Sequence, residues 1–165
     1  MSMLKKILLF LLAILIIIQF IHPKPNKANS EQANYIGKIH TVPEDVLSIL
    51  AKACLDCHSN NTRYPWYTNF QPFDWWITNH INNGKRGLNF DEFNNRSLRF
   101  QYNKMKDVVE LVKKNEMPLN SYLWIHKDAK LTGDEKSELI NWATGIMDSM
   151  KTKYPIDSLV RKRQT

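Results

Sequence analysis

Cys54-Leu55-Asp56-Cys57-His58 contains both cysteines of this 165-residue chain, with a histidine directly behind the second. Thiols three residues apart share one side of a helix, on adjacent turns. Each can add its S–H across one of the two vinyl groups of haem b to make a thioether. The next residue, His58, then reaches the iron from the same side, which is the spacing of c-type haem attachment. With five histidines in 165 residues, a histidine stands at that place by accident about 3% of the time. The pairing of the only two cysteines makes coincidence rarer still.

Three other chemistries use the same residue types. A thioredoxin-like dithiol follows a strand in a βαβ unit, and no such pattern precedes Cys54. A structural zinc site needs four ligands, usually two such pairs; His80 or His126 would have to complete one here. A disulfide across two intervening residues closes too short a loop to staple much. The covalent haem is therefore the expectation, with a zinc- or disulfide-stabilised interaction domain as the alternative.

Working outward, Thr41-Val42-Pro43-Glu44 opens a helix, with Thr41 as N-cap, Pro43 in the first turn and Glu44 as a capping-box acid. Val46, Leu50, Ala53 and Cys57 fall on one face of it. The stretch 59–72 has no clean period and reads as a loop, as does 87–95. Phe73 to Asn83 predicts a second helix stopped by Gly84, carrying Trp76, Ile77, His80 and Ile81 near one stripe. Met105, Val108, Val109 and Val112 predict a third over 104–115, which Pro118 prevents from continuing. Thr132-Gly133-Asp134-Glu135 is a second capping box, opening a helix with Leu139, Ala143, Ile146 and Met150 on its apolar face. Glycine is scarce and β-branched alternation is nearly absent, so the fold class is all-α.

The N-terminus sets the compartment. Lys5 and Lys6 precede an unbroken apolar run from Ile7 to Ile18, continued by Phe20 and Ile21. From Leu4 this approaches the roughly 20 residues of a bilayer span. A cleaved signal peptide has a similar outline, but Gln19 to Pro25 offers no small-x-small cleavage site. Residues 1–21 are thus expected to be a transmembrane helix or signal, with Lys5 and Lys6 in the cytoplasm and the rest outside it. Residues 22–41 read as a linker, 42–150 as the haem domain and 151–165 as a basic tail. The net charge of +7 comes from scattered Lys and Arg, and no nucleic-acid module accompanies it. No nucleic-acid partner is expected; a basic surface could steer an acidic redox protein instead.

The iron needs a second axial ligand. Met117, in Asn115-Glu116-Met117-Pro118, stands in an irregular segment where a thioether is free to face His58, and would raise the potential. His80, among Trp75, Trp76 and Ile81, is its rival, and an open position is the third possibility. Tyr64, Trp66, Tyr67, Phe70, Phe73, Trp75 and Trp76 can wall a flat apolar cofactor. Arg63, Lys85 and Arg86 are candidates for its propionates.

Several phrases extend the motif: Ser59-Asn60, Thr62-Arg63-Tyr64-Pro65-Trp66-Tyr67, Trp75-Trp76, Leu88-Asn89-Phe90, Met117-Pro118-Leu119, and Ile125 through Thr132. With these, 43–150 resembles the haem-binding domain family of bacterial cytochrome-c-like proteins. The resemblance implies a small cytochrome c-like helical domain around one covalent haem c and its iron, often anchored by an N-terminal segment. It implies single-electron transfer with redox partners of the respiratory or periplasmic chain, on the outer side of the cytoplasmic membrane. No general base, nucleophile or substrate pocket is legible, so catalysis is not expected. A haem peroxidase or gas sensor with a displaceable sixth ligand is the alternative.

Overall fold

The computed structural model describes residues 2–161. Among these residues are eight α-helices: α1 Met3–Ile18, α2 Glu44–Ala53, α3 Leu55–His58, α4 Phe73–Gly87, α5 Leu98–Lys113, α6 Asn120–Leu123, α7 Gly133–Lys153 and α8 Ile156–Leu159. Short 3₁₀ turns fill the connections, and among the described residues there is no strand, only an isolated bridge between Lys27 and Asn61. The all-α expectation holds.

The core forms where α2 and α5 pack on α7. Val46, Leu50 and Ala53 of α2 bury as the period requires, against Leu139, Ala143, Ile146 and Met150 of α7. The second capping box is present in both directions: Glu135 N–H donates to Thr132 Oγ1 at 3.2 Å, and Thr132 N–H to Glu135 Oε2 at 2.8 Å. The first is absent. Pro43 occupies the N-cap of α2 with no side-chain bond. Thr41 stands two residues before that position, and its carbonyl accepts from the Trp142 indole at 3.1 Å, which joins this end of α2 to α7.

Helix ends account for most other departures. α5 begins at Leu98, six residues before the expected start, because Ser97 Oγ accepts from Phe100 N–H and caps it. α4 runs straight through Gly84 to Gly87. Gly84 is there for packing, as shown below, and does not terminate the helix. The expected continuous helix through the motif is broken at Cys54, whose φ of −128° separates α2 from α3.

Both flanks of the domain also differ from expectation. The presumed linker is bolted down: Ile36 is fully buried in the core, and Asn26 binds the Ser59 carbonyl and Thr62 Oγ1, both at 2.9 Å. The tail expected from 151 is in part structured, since α7 extends to Lys153 and α8 buries Leu159 against α5 and α7. The last part of that tail, 162–165, lies outside the described residues.

No helix among the described residues is long and apolar enough to cross a membrane. The apolar stretch expected over 4–21 forms a helix of 16 residues, about 24 Å at 1.5 Å per residue against about 30 Å of hydrocarbon. It stops at Gln19, whose side-chain amide turns back to the Leu15 carbonyl at 3.0 Å and also reaches the Gln71 carbonyl.

Candidate functional site

α3 carries Leu55 to His58 of the Cys54–His58 motif as a single turn, with Cys54 at its N-cap. The Cys54 carbonyl accepts from Cys57 N–H at 3.1 Å and His58 N–H at 3.0 Å. One face of the turn lies on α4 at Gly84. A Cβ there would stand 2.6 Å from the Cys57 carbonyl oxygen and 3.1 Å from Cys57 Cβ, closer than real side chains come. Only glycine permits this approach, and so the isolated glycine inside a helical pattern has a packing cause.

That approach places His58 beside the end of α4. Its Nδ1 donates to the Leu88 carbonyl at 2.8 Å. The bond sets the tautomer: Nδ1 carries the proton, and Nε2 keeps its lone pair for a metal. Burial lowers the His58 pKa, against the backbone bonds to Leu88 and Gly84, while Lys104 lowers it further. The imidazole is thus held neutral, as ligation requires. His40 is lowered by burial as well.

A titration follows from these two groups. Their folded pKa values lie below the ordinary 6.5, so on acidification the unfolded chain takes up protons before the folded one does. The haem-free chain is therefore expected to keep this stability above about pH 6.5 and to lose it as pH falls below. Urea midpoints at pH 7.5 and 5.5 check it, and a lower midpoint at 5.5 is expected. Equal midpoints for wild type and a His40→Phe, His58→Phe variant across that range would sink the assignment.

The two thiols are free and partly buried. Burial, and then the neighbouring Cys57, push Cys54 up to about 12; burial and then Asp56 push Cys57 up to about 11. A redox-active dithiol is built the other way, in a setting that favours the thiolate. Among the described residues no three His, Cys, Asp or Glu side chains gather to hold a metal ion, so the zinc alternative finds no ligand set. His126 is engaged elsewhere: it stacks on Tyr122 at 4.1 Å, and its Nε2 pairs with Tyr67 Oη at 2.8 Å.

Cys54, Cys57 and His58 open onto one cavity of about 450 Å³, walled largely by Leu50, Leu88, Phe90, Val108, Leu111 and Leu139. The size is that of a cofactor site. Two wider clefts, of about 620 and 550 Å³, are lined mainly by polar side chains such as Asn82 and Arg99 and contain no part of the motif. Met117 and His80 both line the 450 Å³ cavity.

The end of α5 delivers Met117. Asn115 adopts the left-handed conformation at φ 57°. Its N–H bonds the Val112 carbonyl at 3.1 Å, and Glu116 N–H bonds the Leu111 carbonyl at 2.9 Å. This is a Schellman stop with asparagine at its left-handed position. It reverses the chain within two residues, leaving Met117 at the cavity wall and Pro118 buried behind it. His80 donates Nδ1 to the Trp76 carbonyl at 2.8 Å, and its ring lies 4.4 Å from the Trp76 ring. Its Nε2 is likewise left with a lone pair.

The remaining candidates are placed differently from expectation. Arg63 clasps Asp56, Nε to Oδ1 at 3.1 Å and Nη2 to Oδ2 at 3.3 Å, and lies away from the main cavity. Tyr122 donates to the same carboxylate at 2.7 Å. The buried Asp56 thus ties the motif to α6 through Tyr122, a role that no local pattern announces. Lys85 binds Asn26 Oδ1 and Arg86 binds Asn83 Oδ1. The cation at the cavity is Lys104, paired with Asp107 at 2.7 Å, which sequence reasoning did not single out. Trp76 lines a small pocket next to Cys57 and His80, whereas Trp66 is 75% exposed and lines neither.

An apolar cavity lined by two thiols, a tautomer-set imidazole and a thioether fits a haem: Cys54, Cys57 and His58 would hold it, Met117 or His80 would be a further ligand, and Lys104 would meet a carboxylate. Residues 13–145 match the family described as the haem-binding domain. No curated protein and no solved structure matches the chain. The match covers well over half of the 165 residues and contains the motif, the cavity and both rival ligands: the chain belongs to the haem-binding domain family.

Proposed function

We propose that this protein is a membrane-anchored c-type cytochrome, binding one haem through thioethers at Cys54 and Cys57 and passing single electrons outside the cytoplasmic membrane. The observation that carries the proposal is the His58 Nδ1 bond to the Leu88 carbonyl beside both thiols in an apolar cavity. The bound haem supplies an iron that cycles between ferrous and ferric.

The chain does the rest. Cys54 and Cys57 would hold the haem as thioethers, each S–H adding across one vinyl C=C with no change of net charge and no leaving group. His58 presents Nε2. Met117 presents a sulfur that favours the reduced state. Leu50, Phe90 and Leu139 exclude water, so little solvent reorganises when the charge changes. Lys104 is the cation available to a propionate, a charge-assisted bond in a partly dry setting.

The apolar α1, which buries none of its residues in the domain, supports the anchor, with Lys5 and Lys6 on the cytoplasmic side. Its electron partners are then proteins of the respiratory or periplasmic chain.

Met117 decides between carriage and sensing. In the matured holoprotein, Met117→Ala is expected to abolish the low-spin spectrum and lower the potential, while His80→Ala leaves both unchanged. The reverse pattern makes His80 the ligand. If neither variant alters the spectrum, the sixth position is open, and the peroxidase or sensor reading replaces electron carriage.

A further inference from the structure

The end of α1 is fastened to the start of α4. Gln19 and Gln71 bond reciprocally: the Gln71 N–H donates to Gln19 Oε1 at 2.9 Å, and Gln19 Nε2 to the Gln71 carbonyl at 3.3 Å. The Ile21 carbonyl accepts from Gln71 Nε2 at 2.8 Å and from the Trp75 indole at 2.9 Å. His22 Nδ1 donates to Asp74 at 2.8 Å. Gln71 is itself buried, so its own bonds are shielded from water, while the Trp75 indole bond to Ile21 lies at the surface. They restrain the angle between α1 and the domain, as a free tether would not.

Around this joint lies an apolar surface that nothing among the described residues covers. Phe70, Phe73 and Trp75 flank Gln71 and are 38–53% exposed, and Trp66 joins them by an edge contact to Phe70 at 6.4 Å. Such a contiguous aromatic surface marks an interaction site. Aromatic rings beside the end of an apolar helix suit the headgroup zone of a bilayer, where an apolar ring meets water at one edge. Lys24 and Lys27, exposed on the next stretch of chain, suit anionic headgroups.

We propose that Trp66, Phe70, Phe73 and Trp75 seat in the headgroup region beside α1, so that the haem domain lies fixed on the membrane surface. This rests on the anchor reading above. It also supplies what a 16-residue helix lacks, since interfacial aromatics extend the region of contact with lipid. α4 then leads directly from the lipid surface at Phe73 to Gly84 at the attachment motif.

The test uses the full-length holoprotein in vesicles of phosphatidylcholine and phosphatidylglycerol. Flotation comes first, then hydroxyl-radical footprinting, each peptide normalised to its rate in the urea-unfolded chain. Tyr154 is the internal reference, at the end of α7, which makes no contact with α4. In the structure Trp66 is 75% and Tyr154 39% exposed, so free in solution Trp66 oxidises the faster of the two after normalisation. On vesicles the order is expected to reverse, with Phe70 and Phe73 protected alongside Trp66. A protein that floats but keeps Trp66 the faster overturns the surface seating and leaves the anchor standing. A protein that does not float overturns both. Protection that grows with the protein-to-lipid ratio marks a second copy as the occupant, and overturns the lipid assignment.

Discussion

Changing Cys54 and Cys57 together to alanine is expected to abolish the haem band that survives denaturing electrophoresis, in protein expressed with the c-type maturation system. The two thiols are the whole cysteine content, so no other thioether can form. The His58 bond to Leu88 involves neither thiol and is expected to persist in the variant, but a haem held by ligation alone is released once the fold is lost. Each single variant keeps one thioether and is expected to retain a band. The loss is all-or-none because it is covalent, and no change of stability imitates it. Absence of the band in well-matured wild type would refute the cytochrome reading, and a disulfide between Cys54 and Cys57 would take its place.

Gly84→Ala is expected to destabilise the fold by about 1–3 kcal/mol, the usual cost of overpacking. The added methyl meets the Cys57 carbonyl oxygen at 2.6 Å, and backbone lies on both sides, so neither can rotate aside. Alanine's better helix propensity, about 1 kcal/mol, offsets only part of this. Gly87→Ala is the control, because nothing lies within 4 Å of a Cβ there. It is expected to be neutral or mildly stabilising. Thermal unfolding of the two variants compares them directly, at roughly 2–4 °C per kcal/mol for a chain of this size. If Gly84→Ala melts at or above Gly87→Ala, the close contact of α3 with α4 is wrong. The contact also carries function: parting the helices draws His58 away from Leu88, so the holoprotein of Gly84→Ala is expected to show a weakened low-spin spectrum even where it folds.

Read without its tertiary structure, the chain discloses whatever rests on local chemistry. Cys54, Cys57 and His58 are legible because thioether formation and ligation demand adjacent residues of set types. The buried faces of α2 and α7 are legible because burial imposes the helical period on Val46, Leu50, Leu139 and Ile146. The capping box at Thr132 is legible because both of its partners lie within four residues. Met117 was singled out for its irregular surroundings, and the left-handed Asn115 shows what ends α5 just before it.

What depends on distant partners could not be read along the chain. Gly84 looked like a stop because its reason, the Cys57 carbonyl, is 27 residues away. Thr41 looked like a cap, but α2 starts after Pro43, and the Thr41 carbonyl bonds Trp142, 101 residues on. Arg63 was offered to a propionate but pairs with Asp56, and Lys104 reaches the cavity from a helix whose first turn was missed. The presumed linker is fastened by Asn26 and Ile36 to parts of the chain that no local window contains. Helical period, capping and ligand spacing act over a few residues and leave a mark in order. Close approach, ion pairing and the walls of a cavity join residues by distance in space, and that distance exists only once the helices have packed.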